Sequence, residues 1–173
     1  MIPGSMPGLV IATVVDNRDP AHHGRVIVSY PWLDQSYRSD WISVAQPNAG
    51  KDRGMFWMPE PGDEMVVGFL NGDFHQPIVL GAMWNPVNTP PSPDPRQRML
   101  RSVNGHTIRF VDSTVTAGDK GALIIEDAHG NVISLSNGFV SIRSTALLSI
   151  EANAILLRGN GWQRTVTPNN NPI

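Results

Sequence analysis

The sequence predicts an all-β protein in two parts, a small closed barrel followed by an intertwined, homo-oligomeric β-helix. Two observations predict it: short β-branched runs bounded by turn residues fill the first 84 residues, and apolar residues alternate with a period of two from Leu123 onward. The composition agrees, because 16 glycines and 15 prolines among 173 residues favour many short strands over long helices.

Five apolar runs in residues 8–84 predict the strands of the barrel. They read GLVIATVVDN, GRVIVSYPWL, DWISVAQP, EMVVGFLNG and QPIVLGAMW. Each run is bounded by Gly, Pro, Asp or Asn, the residues that favour turns. Five short strands separated by turn signals are typical of a small closed barrel in the size class of the OB-fold. We therefore assign residues 1–84 to a barrel domain.

A proline-dense segment, NPVNTPPSPDP, follows the barrel at residues 85–95. Proline has no amide donor, so such a segment cannot pair inside a sheet and favours stiff, extended geometry. We assign residues 85–103 to a linker. Within it, RQRMLRS at 96–102 is compatible with either a turn of helix or an initial strand of the next domain.

Pairs of apolar residues one position apart recur in residues 104–161 and predict the β-helix. The first members of successive pairs are Ile133, Val140, Leu148 and Ile155, at spacings of 7, 8 and 7 residues. A repeat this short is one strand and a corner, and Gly130-Asn131 and Asn137-Gly138 supply residues that tolerate the positive φ of a corner. Looser pairs precede these at Leu123/Ile125 and Ile108/Phe110.

One chain cannot cover these pairs. Ordering eight residues costs roughly 8 kcal/mol of backbone entropy, whereas burying two aliphatic side chains returns about 3 to 6 kcal/mol. Stacking on identical chains supplies the missing cover; the alternative is a hairpin meander on the face of an ordinary sheet. In the β-helix, Arg143, Glu151 and Arg158 face water. The residues predicted to face the common axis are Leu123, Ile125, Ile133, Leu135, Val140, Ile142, Leu148, Ile150, Ile155 and Leu157.

Charge and composition argue against several classes of protein. A net charge of -2 leaves no basic face for neutralising phosphates, so we expect no nucleic-acid partner. Without cysteine, disulfides, thiolate catalysis and cysteine-based zinc sites are excluded. The apolar run from Leu9 to Val15 is short, β-branched and not preceded by basic residues, so it predicts a strand and not a signal peptide. No apolar stretch approaches the roughly 18 residues of a membrane span.

A first polar cluster is superficially similar to a metal site. Asp16, Asp19, His22 and His23 lie within eight residues. Asn17-Arg18-Asp19-Pro20 is turn chemistry, however, and spacing alone does not establish converging ligands. We interpret the cluster as the polar loop between the first two barrel strands and predict no metal.

Two further groups of carboxylates suggest acid and base chemistry. Glu126, Asp127 and His129 lie in EDAHGN, which we interpret as a hairpin corner with the following glycine at positive φ. Asp63 and Glu64 follow a Pro-Gly turn, and adjacent strand residues point to opposite faces, so they do not form a catalytic pair. We predict no catalytic residue and no cofactor.

Four tryptophans in the barrel half resemble the stacking platforms with which OB-folds bind single strands. They are Trp32, Trp41, Trp57 and Trp84. Few basic residues accompany them, so we favour barrel core or subunit contacts. Aromatic anchors in a glycine-flanked loop favour a protein interface. The residues predicted for such an interface are Met55, Phe56, Trp57 and Trp162.

Three elements of the first half resemble a known family. They are the GRV strand with its aromatic-proline end at Tyr30, Pro31 and Trp32, the hairpin PEPGDEMVVGFLNGD, and PIVLGAMWN running into NTPPSP. Their order over residues 8–91 resembles the OB-fold domain of contractile injection-system spikes. That family includes the VgrG proteins of type VI secretion, the puncturing spikes of contractile phage tails and phage baseplate assembly protein V. Residues 104–160 resemble the family's needle in pattern only.

The resemblance implies a homotrimeric, structural central spike with no enzymatic activity. Three OB-folds would form a collar on the tail hub proteins, and three chains would wind into a needle that pierces the target cell envelope in transient contact. We expect no lysozyme or hub domain in a chain of this length, and it lacks the His-x-His that binds iron at some spike tips. The expected location is a virion tail baseplate or an extracellular injection particle, made in the bacterial cytoplasm.

The last residues, WQRTVTPNNNPI, have turn and loop chemistry only. We assign residues 162–173 to a tail at the needle tip and expect a separate tip protein to bind there. An alternative function is an OB-fold module that binds single-stranded nucleic acid or carbohydrate and carries an oligomerising tail. Salt-sensitive affinity for single strands would favour that alternative.

Overall fold

The computed structural model of the protein describes residue 6 and residues 8–34, 36–113 and 118–166. The chain divides into two compact units, Met1–Pro90 and Pro91–Ile173. In the described residues, the regular structure is strands and one short 3-10 turn at Leu70–Gly72. None of this part contains a helix long and apolar enough to cross a membrane. The predicted all-β class is confirmed.

Five strands of the first unit close into a barrel. The described strands of this unit are β1 (Leu9–Asp16), β2 (Arg25–Ser29), β3 (Ile42–Val44), β4 (Ala49–Gly50), β5 (Arg53–Gly54), β6 (Glu64–Phe69) and β7 (Pro77–Met83). The barrel order is β1, β2, β3, β7 and β6, and every neighbouring pair is antiparallel except β3 and β7. These are the five predicted runs, so the barrel is confirmed; β4 and β5 form an additional hairpin outside it.

The interior of the barrel holds the hydrophobic core of the first unit. Alternate residues point inward, as Ala12 and Val14 do on β1 and Met65 and Val67 on β6. Mostly small or β-branched side chains fill this interior, and Tyr30 is the one aromatic ring among the buried residues of the described chain. The core residues are Ala12, Val14, Val26, Val28, Tyr30, Ile42, Met65, Val67 and Val79.

An antiparallel meander forms the body of the second unit. Its described strands are β8 (Gln97–Arg101), β9 (Thr107–Val111), β10 (Ala122–Glu126), β11 (Val132–Ser136), β12 (Phe139–Arg143), β13 (Ile155–Gly159) and β14 (Trp162–Val166). Strands β8 to β12 pair in chain order as one five-stranded sheet. Strand β8 lies in the range assigned to the linker. Of the two alternatives left open for RQRMLRS, the structure shows the strand and not the turn of helix. Pairing of β8–β12 within one chain neither requires nor excludes the predicted winding of several chains, which stays a prediction.

The last described segment is a hairpin of β13 and β14. Its turn is Asn160-Gly161, with Gly161 at φ 79°. The prediction that residues 162–166 form only turns and loops was therefore wrong. The turn at Asn160-Gly161 brings them back against β13, where Trp162 pairs with Gly159 and Val166 with Ile155. Residues 167–173 of the predicted tail lie outside the described residues.

Candidate assembly interface

Two rows of side chains cross all five strands of the second-unit sheet on one face. Cross-strand neighbours in register share a face of the sheet, so the pairing fixes both rows. The first row is Leu100, Ile108, Ile125, Ile133 and Ile142. The second row is Arg98, Phe110, Leu123, Leu135 and Val140. We call the nine apolar members of these rows the apolar face.

The apolar face is uncovered in a single chain. Eight of its nine residues are exposed, and the fraction reaches 71% for Val140 and 55% for Ile142, while Leu123 is half-buried. Thr107 is the one buried residue among those described in the second unit. The barrel therefore has a core of its own, whereas the second unit leaves its aliphatic side chains in contact with water.

The opposite face of the same sheet is mainly polar. Arg109 and Glu126 form an ion pair across β9 and β10, with 3.5 Å between the Arg109 Nη2 and Glu126 Oε2 atoms. Serines occupy matching positions on β11 and β12, where Ser134 pairs with Ser141. Ile124 and Val132 on this face are half-buried. Phe139, which pairs with Ser136 on this face, is an exception at 79% exposed. The other exposed large apolar side chains of the five strands lie on the apolar face, so the sheet is amphipathic.

Side-chain oxygens hold the corners between the strands. At the corner between β10 and β11, the Asp127 carboxylate accepts hydrogen bonds from the Asn131 backbone N–H at 2.8 Å and from Asn131 Nδ2 at 2.7 Å. These bonds, the side-chain one foremost, hold the pKa of Asp127 below its ordinary value. Gly130 adopts φ 83°, and at the next corner Asn137 and Gly138 adopt φ 48° and 83°. The corner interpretation of EDAHGN is confirmed.

Six of the ten residues predicted to face the axis lie together on the apolar face, namely Leu123, Ile125, Ile133, Leu135, Val140 and Ile142. Leu148 lies outside the strands and lines a trough of about 400 Å³ with Ile133 and Ile142. Ile150 also lies outside the strands, and Ile155 and Leu157 lie on the separate hairpin of β13 and β14. That all ten face one axis stays a prediction.

Three members of the apolar face were missing from the predicted set. Leu100 fell in the range assigned to the linker, and Ile108 and Phe110 were recognised as a looser pair without being placed at the axis. Ile108-x-Phe110 has the apolar alternation of the later strands, which was a signal for these two residues, whereas Leu100 lies in Gln-Arg-Met-Leu-Arg and has no such alternation.

The predicted interface residues of the barrel lie in one exposed loop. Phe56 is 79% exposed, and Met55 and Trp57 are also exposed. The loop is fixed at two points, since Gln46 Nε2 donates to the Trp57 carbonyl oxygen at 3.3 Å and Asn17 Nδ2 donates to the Pro59 carbonyl oxygen at 2.9 Å. Trp162, the fourth predicted residue, is exposed on β14 with its indole against Gly159.

The tryptophans do not fill the barrel core, and that part of the prediction was wrong. Trp32, Trp57 and Trp84 are exposed, and Trp41 is half-buried. Aliphatic residues and one tyrosine fill the interior, which leaves no room for indoles. Subunit contacts for these tryptophans stay a prediction.

Tyr30 anchors an aromatic cluster at the end of β2. Its ring lies 5.7 Å from that of Phe74 and 6.0 Å from that of Trp32, measured between centroids. The side chain is 1% exposed, and its hydroxyl has no hydrogen-bond partner among the described residues. Burial raises the pKa of Tyr30 to about 12.

The polar loop between β1 and β2 is organised by Asp19. Its carboxylate accepts two hydrogen bonds from Arg25, at 2.8 and 2.9 Å, and one each from the backbone N–H groups of Ala21 and His23. The Arg25 bonds hold the pKa of Asp19 well below its ordinary value. Asp16 pairs separately with Arg18. No group of three metal-ligating side chains occurs in the described part of the chain, and the polar-loop interpretation agrees with these bonds.

These features define a class of protein: a small closed β-barrel joined to a β-sheet whose apolar face one chain leaves uncovered. Residues 10–84, nearly the whole barrel, match the model of the type VI secretion system/phage-baseplate injector OB domain. With the relatives described next, this match shows that the barrel half of the chain is similar to the spike proteins of type VI secretion systems and phage baseplates.

Three curated proteins with similar sequences support this match. The chain is 40% identical over 105 residues to the type VI secretion system spike protein VgrG2a of Pseudomonas aeruginosa, which covers 56% of this chain and 12% of that protein. It is 36% identical over 109 residues to the spike protein VgrG3 of Vibrio cholerae, covering 57% and 11%. It is 39% identical over 92 residues to the actin cross-linking toxin VgrG1 of Vibrio cholerae, covering 49% and 8%. The chain thus matches about a tenth of the length of these relatives.

Proposed function

We propose that this protein is the structural central spike of a contractile phage tail baseplate or a related contractile injection system. In this proposal it is a homotrimer without enzymatic activity. The barrels form a collar on the tail hub, and the second units form a needle that pierces the target envelope mechanically. The observation that carries the proposal is the uncovered apolar face of the second unit.

Three copies around one axis provide the cover that one chain lacks. Stacking is the means by which repeats without a core of their own become stable. A cyclic arrangement places the apolar face of each copy against the other two and leaves Arg109, Glu126 and Ser141 on the outside. We extend the axis-facing set to include Leu100, Ile108 and Phe110, since they share the two rows.

The same arrangement accounts for mechanical stiffness. In one chain, β8 and β12 are the edges of the sheet and leave backbone groups unpaired. Winding of three chains would pair those edges between copies, so that force along the axis acts on a continuous hydrogen-bonded structure. A needle of this kind transmits the push of a contracting sheath to a small area without unfolding.

The proposal divides the chain by role. Residues 1–84 form the collar, 85–103 the linker, 104–161 the needle and 162–173 the tip tail. Because β8 pairs in the same sheet as β9–β12, we extend the needle to include it, although it lies in the range assigned to the linker. The exposed indole of Trp162 supports a tip protein as a further partner. The protein works in the virion baseplate or in an extracellular injection particle.

Immunoelectron microscopy of contractile particles tests the function. Particles are purified from the bacterium or phage lysate that produces this chain and are labelled with antibodies raised against the barrel. We expect label at one end of the tail. In particles made with the Ile142→Asp chain, the label should be lost, and it should be kept with Ser141→Asp, whose side chain lies on the polar face. Intact particles made with the wild-type chain that carry no label would contradict the proposal.

A further inference from the structure

We propose that neighbouring barrels contact each other head to tail. The loop of Phe56 and Trp57 in one copy packs on an apolar patch on the outside of the next barrel. We call the first surface the aromatic loop and the second the outer patch, which consists of Leu9, Ile11, Leu80 and Met83. This inference rests on the proposed homotrimer and adds the surfaces through which its collar closes.

The aromatic loop is preformed as a projection. The hairpin of β4 and β5 starts it, and Gly54 at φ 139° turns the chain so closely that a side chain there would lie 2.5 Å from the Asn48 carbonyl oxygen. The Met55 N–H donates to the same oxygen at 2.9 Å. One edge of the Phe56 ring lies over Gly24, yet most of the ring is in water. An anchor held in this way loses little entropy on binding.

The outer patch lies across β1, β6 and β7. Leu9 pairs with Gly68 and Ile11 with Val66, and these residues point out of the barrel. Gly68 lets Leu9 and Leu80 close over it: a methyl group built there would lie 3.3 Å from Leu9 Cδ2 and 3.2 Å from Leu80 Cδ1. Leu9, 63% exposed, and Leu80, 49% exposed, therefore form one apolar surface, and Ile11 and Met83 are exposed on the same two strands.

Symmetry identifies a second copy of this chain as the occupant. A ring of three copies is closed by heterologous contacts, which need two different and complementary surfaces on each copy. The barrel presents such a pair, one projecting and aromatic, the other broad and aliphatic. A projecting aromatic anchor seated on an apolar surface is the usual centre of a stable protein interface.

Charge complementarity supports the same pairing. Glu64 pairs with Met83 at the margin of the outer patch. Lys51 and Arg53 lie in the β4–β5 hairpin beside the aromatic loop. None of these three charges has an ion-pair partner among the described residues. Contact between the two surfaces brings the two cations toward the carboxylate. This attraction fixes how the aromatic loop of one barrel is aligned on the outer patch of the next.

Cysteine cross-linking tests the contact, since the chain has no cysteine of its own. Chains with Phe56→Cys and chains with Leu80→Cys carry different affinity tags, are co-expressed, and are treated with a short bismaleimide. We expect a cross-linked product that contains both tags, and none from either variant alone. Val87→Cys, at a site 88% exposed, replaces Leu80→Cys as the matched control and should give at most a tenth of that product.

A charge exchange, made in the same pair of cysteine variants, provides a second test that changes only the charged residues beside the two surfaces. Lys51→Glu with Arg53→Glu should lower the cross-linking yield severalfold, as should Glu64→Lys, and combining them should restore it. A trimer that gives no two-tag product overturns this contact while the proposed function survives. A monomer overturns both. A trimer that cross-links without any response to the charge changes overturns the assigned register.

Discussion

Ile133 and Ile142 lie directly opposite each other on β11 and β12, and both are exposed, by 39% and 55%. Paired aliphatic side chains on adjacent strands normally lie under a second layer. Here the described residues leave both side chains exposed, so we expect another copy of the chain to pack on them.

Ile142→Asp is expected to abolish the trimer. The substitution places three buried, unpaired carboxylates near one axis, and each costs several kcal/mol to desolvate. Sedimentation velocity of the purified variant should show only the monomer.

Ser141→Asp is the matched control, because its side chain leaves the same strand on the polar face. That variant should stay trimeric. If Ile142→Asp assembled as well as Ser141→Asp, the apolar face would not be the interface.

Tyr30→Phe should remove part of the decrease in unfolding free energy that the wild type shows at alkaline pH. The pKa of Tyr30 is raised to about 12 from about 10 in the unfolded chain, so its contribution to stability is complete below pH 10 and is lost as pH rises towards 12. The wild type should lose about 2 kcal/mol of unfolding free energy over this range beyond what the variant loses.

At pH 7, Tyr30→Phe should be neutral or stabilising by about 1 kcal/mol, because the hydroxyl it removes is buried without a partner. Urea unfolding followed by tryptophan fluorescence measures both effects. Tyr37→Phe, at an exposed ring of the same cluster, is the control. A strong loss of stability at pH 7 in Tyr30→Phe would show that the hydroxyl is bonded in the native protein.

Asp19→Asn is expected to lower the Tm of the barrel on the order of 10 °C, since Arg25 loses its carboxylate partner. Asp16→Asn, which loses only the pair with the exposed Arg18, should change the Tm little. Calorimetry at pH 7 compares the two.

Acid titration measures the contribution of Asp19 to stability independently. Because its pKa is lowered on folding, its contribution is present above the ordinary carboxyl pKa of about 4 and is lost as pH falls below that value. Wild type and Asp19→Asn should therefore converge in stability on acidification. Equal differences at pH 7 and pH 2 would contradict the role of the ion pair.

Gly121→Ala and Gly138→Ala separate backbone strain from steric clash. Both glycines have positive φ, at 79° and 83°. A methyl group at Gly138 meets open space, so the cost is the conformational one of about 1 to 2 kcal/mol. At Gly121 it meets the Val111 carbonyl oxygen, so we expect a much larger loss. Thermal melting of the assembled protein ranks the two, and equal melting temperatures would contradict the close approach of β9 and β10.

The barrel could be predicted because its signals are local. Each of the five runs has its own alternation and its own turn residues, and each became one barrel strand. The parallel pairing of β3 with β7 depends on contacts distant in sequence, so no run reveals it. The two-residue strands β4 and β5, Ala49–Gly50 and Arg53–Gly54, carry no apolar pattern at all.

The apolar face was predicted in part for the same reason. Period-two alternation identified Ile133, Leu135, Val140 and Ile142, which lie on one face of β11 and β12 and pair across these strands. The same alternation at Leu148 and Ile150 has no strand, because alternation describes which way side chains point and does not supply a pairing partner. Leu100 was missed because the prolines before it extended the assigned linker over β8.

The mass of the purified wild-type protein in solution, measured by light scattering, tests the central claim most directly. We predict a single species of three times the 18.9 kDa chain mass, which persists in an unboiled denaturing gel. A stable monomer would contradict the account, because it would mean that the apolar face is covered within one chain or stays in water.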